Sequence, residues 1–331
     1  MKILVTGGTG FLGKRLSYCL QAMGHDVTSI GRNENVGVNL RNNGINFIKC
    51  DLRDGDAIKL ICQYKDFVFH CGALSSPWGN YKDFYDINVN GTRNIIAGCK
   101  SGRVRRLIHV STPSIYFNME DGFDIVEDAK LPDMPVNYYA KTKRIAEEEV
   151  DNAFRQGIPV ITVRPRGIFG PGDASIIPRL IRANETFGVP IIEGGQALVD
   201  VTYVENVVYA LLRCMDSADS TLGKKYNITN GEPMIMIDLL KLIFAKLNLV
   251  LKRREISFKK AYALATLMEF LYRALPLKGE PVLTQYTIGV LGKSQTLNIK
   301  AARDELGYSP KISIQEGVEE FAKWWRDKLD Q

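Results

Sequence analysis

Near the start of the chain, a short continuous run of apolar residues is followed by a segment in which apolar residues recur at helical spacing. The run 3–5 fits a buried strand, and three glycines, each three residues from the next, follow it. Apolar residues then recur at helical spacing from Leu12 to Met23. The pattern predicts a strand, a tight glycine turn and a helix in direct succession.

The same alternation continues along the chain. Strands are predicted at 26–30, 46–49, 67–70, 104–110 and 158–164, and helices near 54–64, at 80–100 and from Asn137 onward. Strands that alternate with helices are typical of βαβ units. The pattern therefore predicts an α/β fold with a parallel sheet.

The pattern changes after residue 164. Residues 165–199 are rich in glycine and proline, which indicates a break from the sheet into a cap. The segments 200–212 and 224–229 are predicted to rejoin the sheet, and the remainder is mainly helical in pattern. We expect one domain at 1–164, rejoined by about 200–231, and a smaller, mostly helical substrate-binding cap formed by 165–199 and 232–331.

Composition and charge narrow the class of protein. The chain has 331 residues, 45% of them hydrophobic, and a net charge of +6 from 43 basic and 37 acidic residues. The basic residues are scattered, so no nucleic-acid partner is expected, whereas a mild positive excess suits an anionic small molecule. The predicted first strand starts almost at Met1, so no signal peptide is expected before it. The longest apolar stretches are too short for a membrane span, and we therefore expect a cytoplasmic protein.

Cysteines and histidines indicate neither disulfides nor a metal site. The six cysteines contain no C-x-x-C pair, and most lie in apolar runs, so we expect reduced thiols in the core. The three histidines lack the spacing of metal ligands, and no metal is expected.

The glycine turn predicts a dinucleotide site. Gly7, Gly10 and Gly13 have no Cβ to block the approach of a pyrophosphate, and the helix that follows offers free N–H groups and a positive dipole end. The end of the second strand faces the adenosine ribose in such a fold. Arg32 at that position favours the 2′-phosphate of NADP(H) over NAD(H), although Glu34 could instead bond a ribose hydroxyl.

Tyr139 and Lys143 are the candidate proton-transfer pair. They lie four residues apart on a predicted helix and share a face. An ammonium beside a phenol is expected to lower the phenol's pKa from about 10. Hydroxyls at Ser111, Thr112 and Ser114 follow the fifth strand, where ligands bind in parallel sheets, and one of them is expected to hold the substrate oxygen.

Several segments together resemble the extended short-chain dehydrogenase/reductase family over nearly the whole chain. They are TGGTGFLG (6–13), CDLRD (50–54), HCGA (70–73), NVNGT (88–92), VSTPSIY (110–116), YYAKTK (138–143), RPRGIFGPGD (164–173) and VDVTYVENV (199–207). The resemblance implies a Rossmann-type, doubly wound sheet that holds NAD or NADP. It implies that Tyr139 is the general acid/base, that Lys143 bonds the nicotinamide ribose and that Asp51 contacts the adenine amino group. Thr112 is the implied catalytic hydroxyl, with Ser111 as the adjacent alternative.

The resemblance yields a full set of predicted site residues. Those expected to bind the cofactor are Gly7, Thr9, Gly10, Phe11, Leu12, Gly13, Arg32, Asp51, Leu52, Cys71, Gly72, Ala73, Tyr139, Lys143, Pro165 and Arg166. Those expected to bind substrate are Ser75, Ser114 and Arg166. Two positions depart from the family pattern, since Phe117 replaces a frequent glycine and Thr112 a commoner serine. Neither change removes a proton-transfer group.

Within the family, the chain is most similar to the 3β-hydroxysteroid dehydrogenase-like branch. The similarity rests on SSPWG (75–79), Arg164-Pro165-Arg166 and GEPVLTQY (279–286), with a pattern at 300–320 that other extended members share. We predict an NAD(P)-dependent oxidoreductase that interconverts a secondary alcohol and a ketone on a bulky, hydrophobic substrate of the 3β-hydroxysteroid or 3-oxoacyl type. The alternatives are a nucleotide-sugar epimerase or dehydratase, which shares the catalytic trio, and a non-catalytic NADP-binding protein.

Residues 259–275 fit an apolar helix with a narrow polar strip, which contains Lys259, Thr266, Glu269 and Arg273. Such a helix is expected to cover something apolar. One interpretation is the core or an interface between two copies of the chain. The other is the wall of an apolar substrate channel that rests on a membrane, where the basic residues at 252–254 and 259–260 suit anionic head groups. The segment is too short to cross a bilayer.

Overall fold

The computed structural model describes residues 1–275 and 279–329, so residues 276–278 and 330–331 of the predicted cap lie outside the described residues. The strands are β1 (Lys2–Thr6), β2 (Asp26–Gly31), β3 (Asn46–Lys49), β4 (Phe67–His70), β5 (Arg106–Val110), β6 (Gly122–Ile125), β7 (Val160–Pro165), β8 (Ile168–Phe169), β9 (Val189–Ile192), β10 (Leu198–Val199), β11 (Thr202–Tyr203), β12 (Lys225–Ile228), β13 (Met234–Ile235), β14 (Arg253–Ile256) and β15 (Gln295–Leu297). The helices are α1 (Phe11–Ala22), α2 (Glu34–Asn42), α3 (Gly55–Ile61), α4 (Tyr81–Phe84), α5 (Gly91–Gly102), α6 (Tyr138–Arg155), α7 (Ile177–Thr186), α8 (Val204–Asp216), α9 (Met236–Lys246), α10 (Phe258–Ala274), α11 (Gln285–Gly292), α12 (Lys300–Leu306) and α13 (Ile314–Leu329). A π-helical segment, Tyr85–Asn90, joins α4 to α5.

A seven-stranded parallel sheet forms the centre of the fold, with the strand order β12-β7-β5-β4-β1-β2-β3. The order reverses between β1 and β4, which is where doubly wound sheets bind ligands. In register, Thr6 of β1 lies beside His70 of β4, and His70 lies beside His109 of β5. The predicted Rossmann-type α/β fold with a mostly helical C-terminal region is confirmed.

The side chains of β1 alternate between two cores, one on each face of the sheet. Ile3 and Val5 belong to the core that contains α1 and α8, whereas Leu4 belongs to the core covered by α3, α5 and α6. All three are fully buried, as expected for a central parallel strand. The first core also contains Phe244 and Phe321 from the C-terminal region, so the sheet and the cap share an interior.

Two segments differ from the predicted organisation. Residues 204–216 form α8, which packs against α1, instead of rejoining the sheet as expected for 200–212. Their buried apolar residues recur at helical spacing: Val204, Val207, Val208, Leu211 and Met215. Residues 122–125, inside the predicted first domain, form β6, which pairs with β15 of the cap. The segment 224–229 does supply β12, at the edge of the large sheet.

Helix α10 packs with part of its polar strip inward. Gln285 of α11 donates its backbone N–H to Glu269 Oε1 at 2.8 Å and its side-chain amide to Thr266 Oγ1 at 3.2 Å. Leu264, Leu267, Phe270, Leu271 and Leu275 are 40–64% exposed. The smaller apolar residues Ala261 and Ala265 pack against Ile192 and Ile288, whereas the larger apolar residues of this helix stay largely exposed in the described chain. In that part of the chain, no helix is both long and apolar enough to cross a membrane.

Candidate active site

The turn between β1 and α1 forms the floor of a groove at the carboxyl ends of β1 and β4. Gly7 has a φ of +67°, and a Cβ there would lie 2.7 Å from the Cα of Gly72. A Cβ on Gly13 would lie 2.4 Å from the carbonyl oxygen of Gly7. Glycine is required at both positions, because a side chain at Gly7 would collide with the loop after β4 and one at Gly13 would collide with the backbone of the turn itself.

The residues around this groove fit a nicotinamide dinucleotide. Its volume is about 200 Å³. Its lining consists of Gly7, Thr9, Gly10, Ile30, Gly31, Arg32, Cys50, Asp51, Leu52, Cys71, Gly72, Ala73 and Ile87. The first backbone bond of α1 runs from Lys14 N–H to Gly10 O at 3.1 Å, which leaves earlier N–H groups of the helix without an intrahelical partner and able to bind a pyrophosphate.

Most of the predicted cofactor residues belong to this lining. Phe11, Leu12 and Gly13 instead form the first turn of α1 behind it. Pro165 ends β7, and Arg166 follows it, outside the lining. The wall also contains four residues that were not predicted from the sequence: Ile30, Gly31, Cys50 and Ile87.

Charged groups are concentrated at the end of the groove beside β2. Arg32 is exposed there, whereas Glu34 is paired with Arg41 of α2. Asp51 accepts hydrogen bonds from Arg53 Nε at 2.9 Å and Nη2 at 2.8 Å. These bonds lower the pKa of Asp51 to about 2, so its carboxylate is ionised and fixed in place.

Tyr139 lies in the first turn of α6, which Asn137 caps by accepting the Ala140 N–H at 2.8 Å. The phenol is next to the side chains of Thr112 and Ser75. Burial raises the pKa of Tyr139, and the two neighbouring hydroxyls offset only part of that effect. The prediction that Lys143 lowers this pKa is wrong for this structure.

Lys143 is held by the end of β5 instead. Its side chain is buried, and Nζ donates to the carbonyl oxygen of Val110 at 2.8 Å and lies 3.4 Å from His109 Nε2. Burial lowers the pKa of Lys143 to about 8, although Glu147 opposes the change. The ammonium is thus directed at strand groups, which explains why the phenol does not gain the expected stabilisation of its charged form.

Two buried histidines support this region, and sequence reasoning missed both. The ring centroids of His70 and His109 are 5.3 Å apart. His70 is hydrogen-bonded through both ring nitrogens, to Thr6 Oγ1 at 2.8 Å and Thr92 Oγ1 at 3.0 Å. Thr6 Oγ1 also accepts the Gly72 N–H at 3.0 Å, which ties the groove loop to the sheet. The only sequence signal was a histidine near the end of each of two strands.

A row of hydroxyls leads from Tyr139 towards the cap. Thr112 Oγ1 donates to Ser114 Oγ at 3.0 Å, and Ser114 Oγ lies 2.8 Å from the hydroxyl of Tyr286. Tyr286 belongs to α11, and its ring contacts Phe117 edge-on at a centroid distance of 6.2 Å. In the sequence, Tyr286 belongs to a segment (279–286) that supports the family resemblance but gives no sign of a place in the site. Thr112, rather than Ser111, is the fifth-strand hydroxyl next to the phenol.

The loop after β4 connects the site to α10. Its Ser75 is next to Tyr139, and its Trp78 contacts the ring of Tyr272 edge-on at 6.4 Å. The guanidinium of Arg273 lies 5.3 Å from the centroid of the Trp78 ring. An aromatic and apolar segment of the cap therefore borders the loop that carries a predicted substrate residue.

Residues 1–275 and 279–329 contain no group of three or more His, Cys, Asp or Glu side chains arranged to hold a metal ion. All six cysteines are free thiols, four of them buried. The expectation that most of the cysteines lie in the core is confirmed.

A sequence model of the NAD dependent epimerase/dehydratase family matches residues 3–229, and the chain belongs to that family. The chain is 36% identical over 329 residues to 2-alkyl-3-oxoalkanoate reductase of Stenotrophomonas maltophilia, with 96% of this chain and 97% of that protein covered. It is 31% identical over 327 residues to the decarboxylating sterol-4-alpha-carboxylate 3-dehydrogenase of Mus musculus, with 96% of this chain and 89% of that protein covered.

Solved structures agree with the fold. UDP-glucuronic acid 4-epimerase from Bacillus cereus, in complex with NAD, superposes with a TM-score of 0.79 over 99% of both chains at 21% identity. The resemblance to the extended short-chain dehydrogenase/reductases is confirmed. The protein is an NAD(P)-dependent oxidoreductase of that type.

Proposed function

We propose that this protein interconverts a ketone and a secondary alcohol at carbon 3 of a bulky apolar substrate, with NADP(H) as cofactor and Tyr139 as the proton carrier. The observation that carries the proposal is the Tyr139 phenol next to the Thr112 hydroxyl, at the end of β5 and on the cap side of the dinucleotide groove. A bound nicotinamide would donate or accept the hydride. Thr112 would hold the reacting oxygen, and Tyr139 would give it a proton in reduction or take one in oxidation.

The protonation state of Tyr139 favours reduction. Because burial raises the pKa of this phenol, it is protonated at neutral pH and ready to donate to a developing alkoxide. Lys143 would contribute by bonding the nicotinamide ribose with an N–H that neither Val110 nor His109 uses, since an ammonium has three donors.

The relatives support a substrate with an apolar body. One is named for 2-alkyl-3-oxoalkanoates and the other for sterol-4-alpha-carboxylates, and each name gives carbon 3 as the reacting position. The cap supports the same class, because α10 and Trp78 provide aromatic and aliphatic surface beside Ser75. The sequence identity to the nucleotide-sugar epimerase is only 21%, which supports a shared fold but not a shared substrate.

The adenosine end supports NADP(H). Arg32 is exposed at the groove and can reach a 2′-phosphate. Glu34, the residue that could instead bond a ribose hydroxyl, is already paired with Arg41.

The exposed apolar side of α10 supports peripheral contact with an anionic membrane. Lys259 and Lys260 stand exposed at the start of this helix, and Arg253 and Arg254 are exposed on β14 just before it. Apolar side chains next to cationic ones are typical of segments that bind acidic lipid surfaces. The alternative is that this surface forms an interface with a second copy of the chain.

Thermal protection tests the proposed substrate class. A long-chain 3-oxo ester or a 3-ketosteroid should raise the melting temperature of the NADPH complex and be reduced with consumption of NADPH, whereas UDP-glucose should do neither. Protection by UDP-glucose alone would contradict the proposal and favour the epimerase alternative. Protection by apolar ligands without turnover would favour the non-catalytic alternative.

A further inference from the structure

Arg166 is a buried cation whose charge the described chain leaves without a partner. Its side chain is 7% exposed, and its Nε has no hydrogen-bond acceptor among the described residues. In residues 1–275 and 279–329, no carboxylate oxygen lies within 4 Å of this guanidinium. A buried charge without a counter-ion is strongly unfavourable, so a native fold retains one where a ligand supplies the opposite charge.

Arg164, two residues earlier, shows how the same chain neutralises a buried arginine. Arg164 Nη2 lies 2.6 Å from Glu147 Oε2, and its Nε lies 2.9 Å from Glu147 Oε1. Both side chains of this pair are at most 5% exposed. Arg166 is buried to a similar degree without any such pairing, so its guanidinium is able to bind an anionic ligand.

Asp200 is the acidic neighbour of Arg166, and other groups hold it. Its Oδ2 accepts the Leu297 N–H at 2.8 Å. It lies beyond ion-pair distance from Arg166, although it is close enough to favour the charged guanidinium, and its Oδ1 is buried without a hydrogen-bond partner among the described residues. The fork of N–H groups on Arg166 is therefore not occupied by this carboxylate.

Arg166 lies next to the far end of the hydroxyl row. Strand β7, which Arg166 follows, pairs with β5 in the register Val163 with Val110, so Arg166 and Thr112 leave the sheet at the same edge. Tyr286 is a neighbour of Arg166, and its hydroxyl lies 2.8 Å from Ser114 Oγ. The row continues through Thr112 to Tyr139. A ligand whose reacting oxygen sits at Tyr139 would therefore direct a neighbouring anionic group along this row towards Arg166.

We propose that the Arg166 guanidinium, with the Tyr286 hydroxyl, binds the carboxylate of a 3-oxo or 3-hydroxy acid whose carbon 3 reacts at Tyr139. This inference rests on the proposed function and names its substrate class. A guanidinium binds a carboxylate through two parallel N–H bonds, which suits a planar acid group better than a neutral ester. A single carbon separates the carboxyl carbon from carbon 3 in such acids, so Arg166 and Tyr139 must face the same part of the site for both groups to bind.

The test compares 2-hexyl-3-hydroxydecanoate with its methyl ester in NADP⁺-dependent oxidation. Wild type should prefer the acid by about 10- to 100-fold in kcat/KM, the range expected for a charge-assisted hydrogen bond of about 1.5–3 kcal/mol. Arg166→Met should reduce the acid-to-ester ratio to near one, and Arg166→Lys should give an intermediate ratio. Tyr286→Phe should lower the ratio less. Arg155→Met, an exposed arginine at the end of α6, is the matched control and should retain the wild-type ratio.

Binding measurements separate the possible failures. NADPH affinity should not change in Arg166→Met, and a loss would assign Arg166 to the cofactor and overturn the inference. Equal use of acid and ester by wild type would overturn it while leaving the proposed function intact. If neither compound is oxidised but the acid alone raises the melting temperature in an Arg166-dependent way, the subsite stands and the proposed function fails. Arg166-dependent protection by UDP-glucose alone would overturn both.

Discussion

Lys143 Nζ lies 3.4 Å from Nε2 of His109, the penultimate residue of β5. Burial, together with the nearby ammonium, holds the pKa of His109 well below its usual value. The imidazole is therefore neutral at physiological pH, and it accepts a hydrogen bond without carrying a balancing charge. The unfavourable free energy of the buried ammonium should thus be measurable in the stability of the protein.

Lys143→Met should change how stability depends on pH. Lysine in the unfolded chain titrates near 10.5, whereas Lys143 in the folded protein titrates at about 8. Between these values the unfolded state binds more protons, so stability rises with pH. As pH rises from the lower to the higher of these two pKa values, the free energy of unfolding of wild type should increase by about 3 kcal/mol relative to that of Lys143→Met. Urea denaturation across the window measures this, with the exposed Lys141→Met as control. Parallel wild-type and Lys143→Met curves would contradict it.

Tyr139→Phe should lower kcat by about 100-fold or more, because it removes the proton carrier and leaves the ring. NADPH affinity, measured by fluorescence titration, should be unchanged. Tyr138→Phe, the exposed neighbour on the same helix, should keep full activity. An active Tyr139→Phe enzyme would exclude this phenol from the proton-transfer step.

Arg32→Ala should lower the affinity for NADPH about tenfold or more and leave that for NADH unchanged, because only NADPH carries the 2′-phosphate. Isothermal titration of both cofactors measures the preference. Glu34→Gln is the matched variant, and a selective loss of NADH affinity in it would favour a ribose contact by Glu34. Equal affinities of the wild type for NADPH and NADH would show that Arg32 does not bind the phosphate.

Glu147→Ala should destabilise the protein by about 3–5 kcal/mol, because it leaves Arg164 buried without its partner. Replacing both residues, as Glu147→Leu with Arg164→Met, should recover most of the loss. Glu148→Ala, in an exposed pair with Arg144, should change stability by less than about 1 kcal/mol. Denaturant unfolding compares the four proteins, and equal losses in the two single glutamate variants would refute the special role of the buried pair.

Replacing Leu267 and Phe270 with serine should weaken binding to vesicles that contain phosphatidylserine. Both side chains are more than half exposed, so the change should not affect folding. Sedimentation with acidic and with neutral vesicles measures binding, which should also fall with added salt. Leu60→Ser, at an exposed leucine on α3, is the control. Unchanged vesicle binding with a shift from dimer to monomer would assign the surface to a second copy of the chain.

Local spacing alone was sufficient to predict the strand, glycine turn and helix that form the floor of the groove. The strand, glycine turn and helix at residues 2–22 are neighbours in sequence, so their contacts depend on backbone sterics that a short pattern encodes. The same holds for Tyr139 and Lys143, since four residues on a helix place two side chains on one face. Spacing does not reveal burial, however. The pKa of Tyr139 rises instead of falling because the phenol is buried, and the ammonium of Lys143 does not oppose the rise since it bonds to Val110, a partner 33 residues away.

Only the tertiary structure decided what those local elements meet. Ser114 and Tyr286 are 172 residues apart, and no periodic pattern could have placed their hydroxyls 2.8 Å from each other. The same limit applies to α10. The sequence distinguished its apolar side from its polar side, but it did not predict which side faces the rest of the protein. Helical periodicity determines which residues share a face, but the contacts of that face depend on long-range packing, which sequence patterns do not encode.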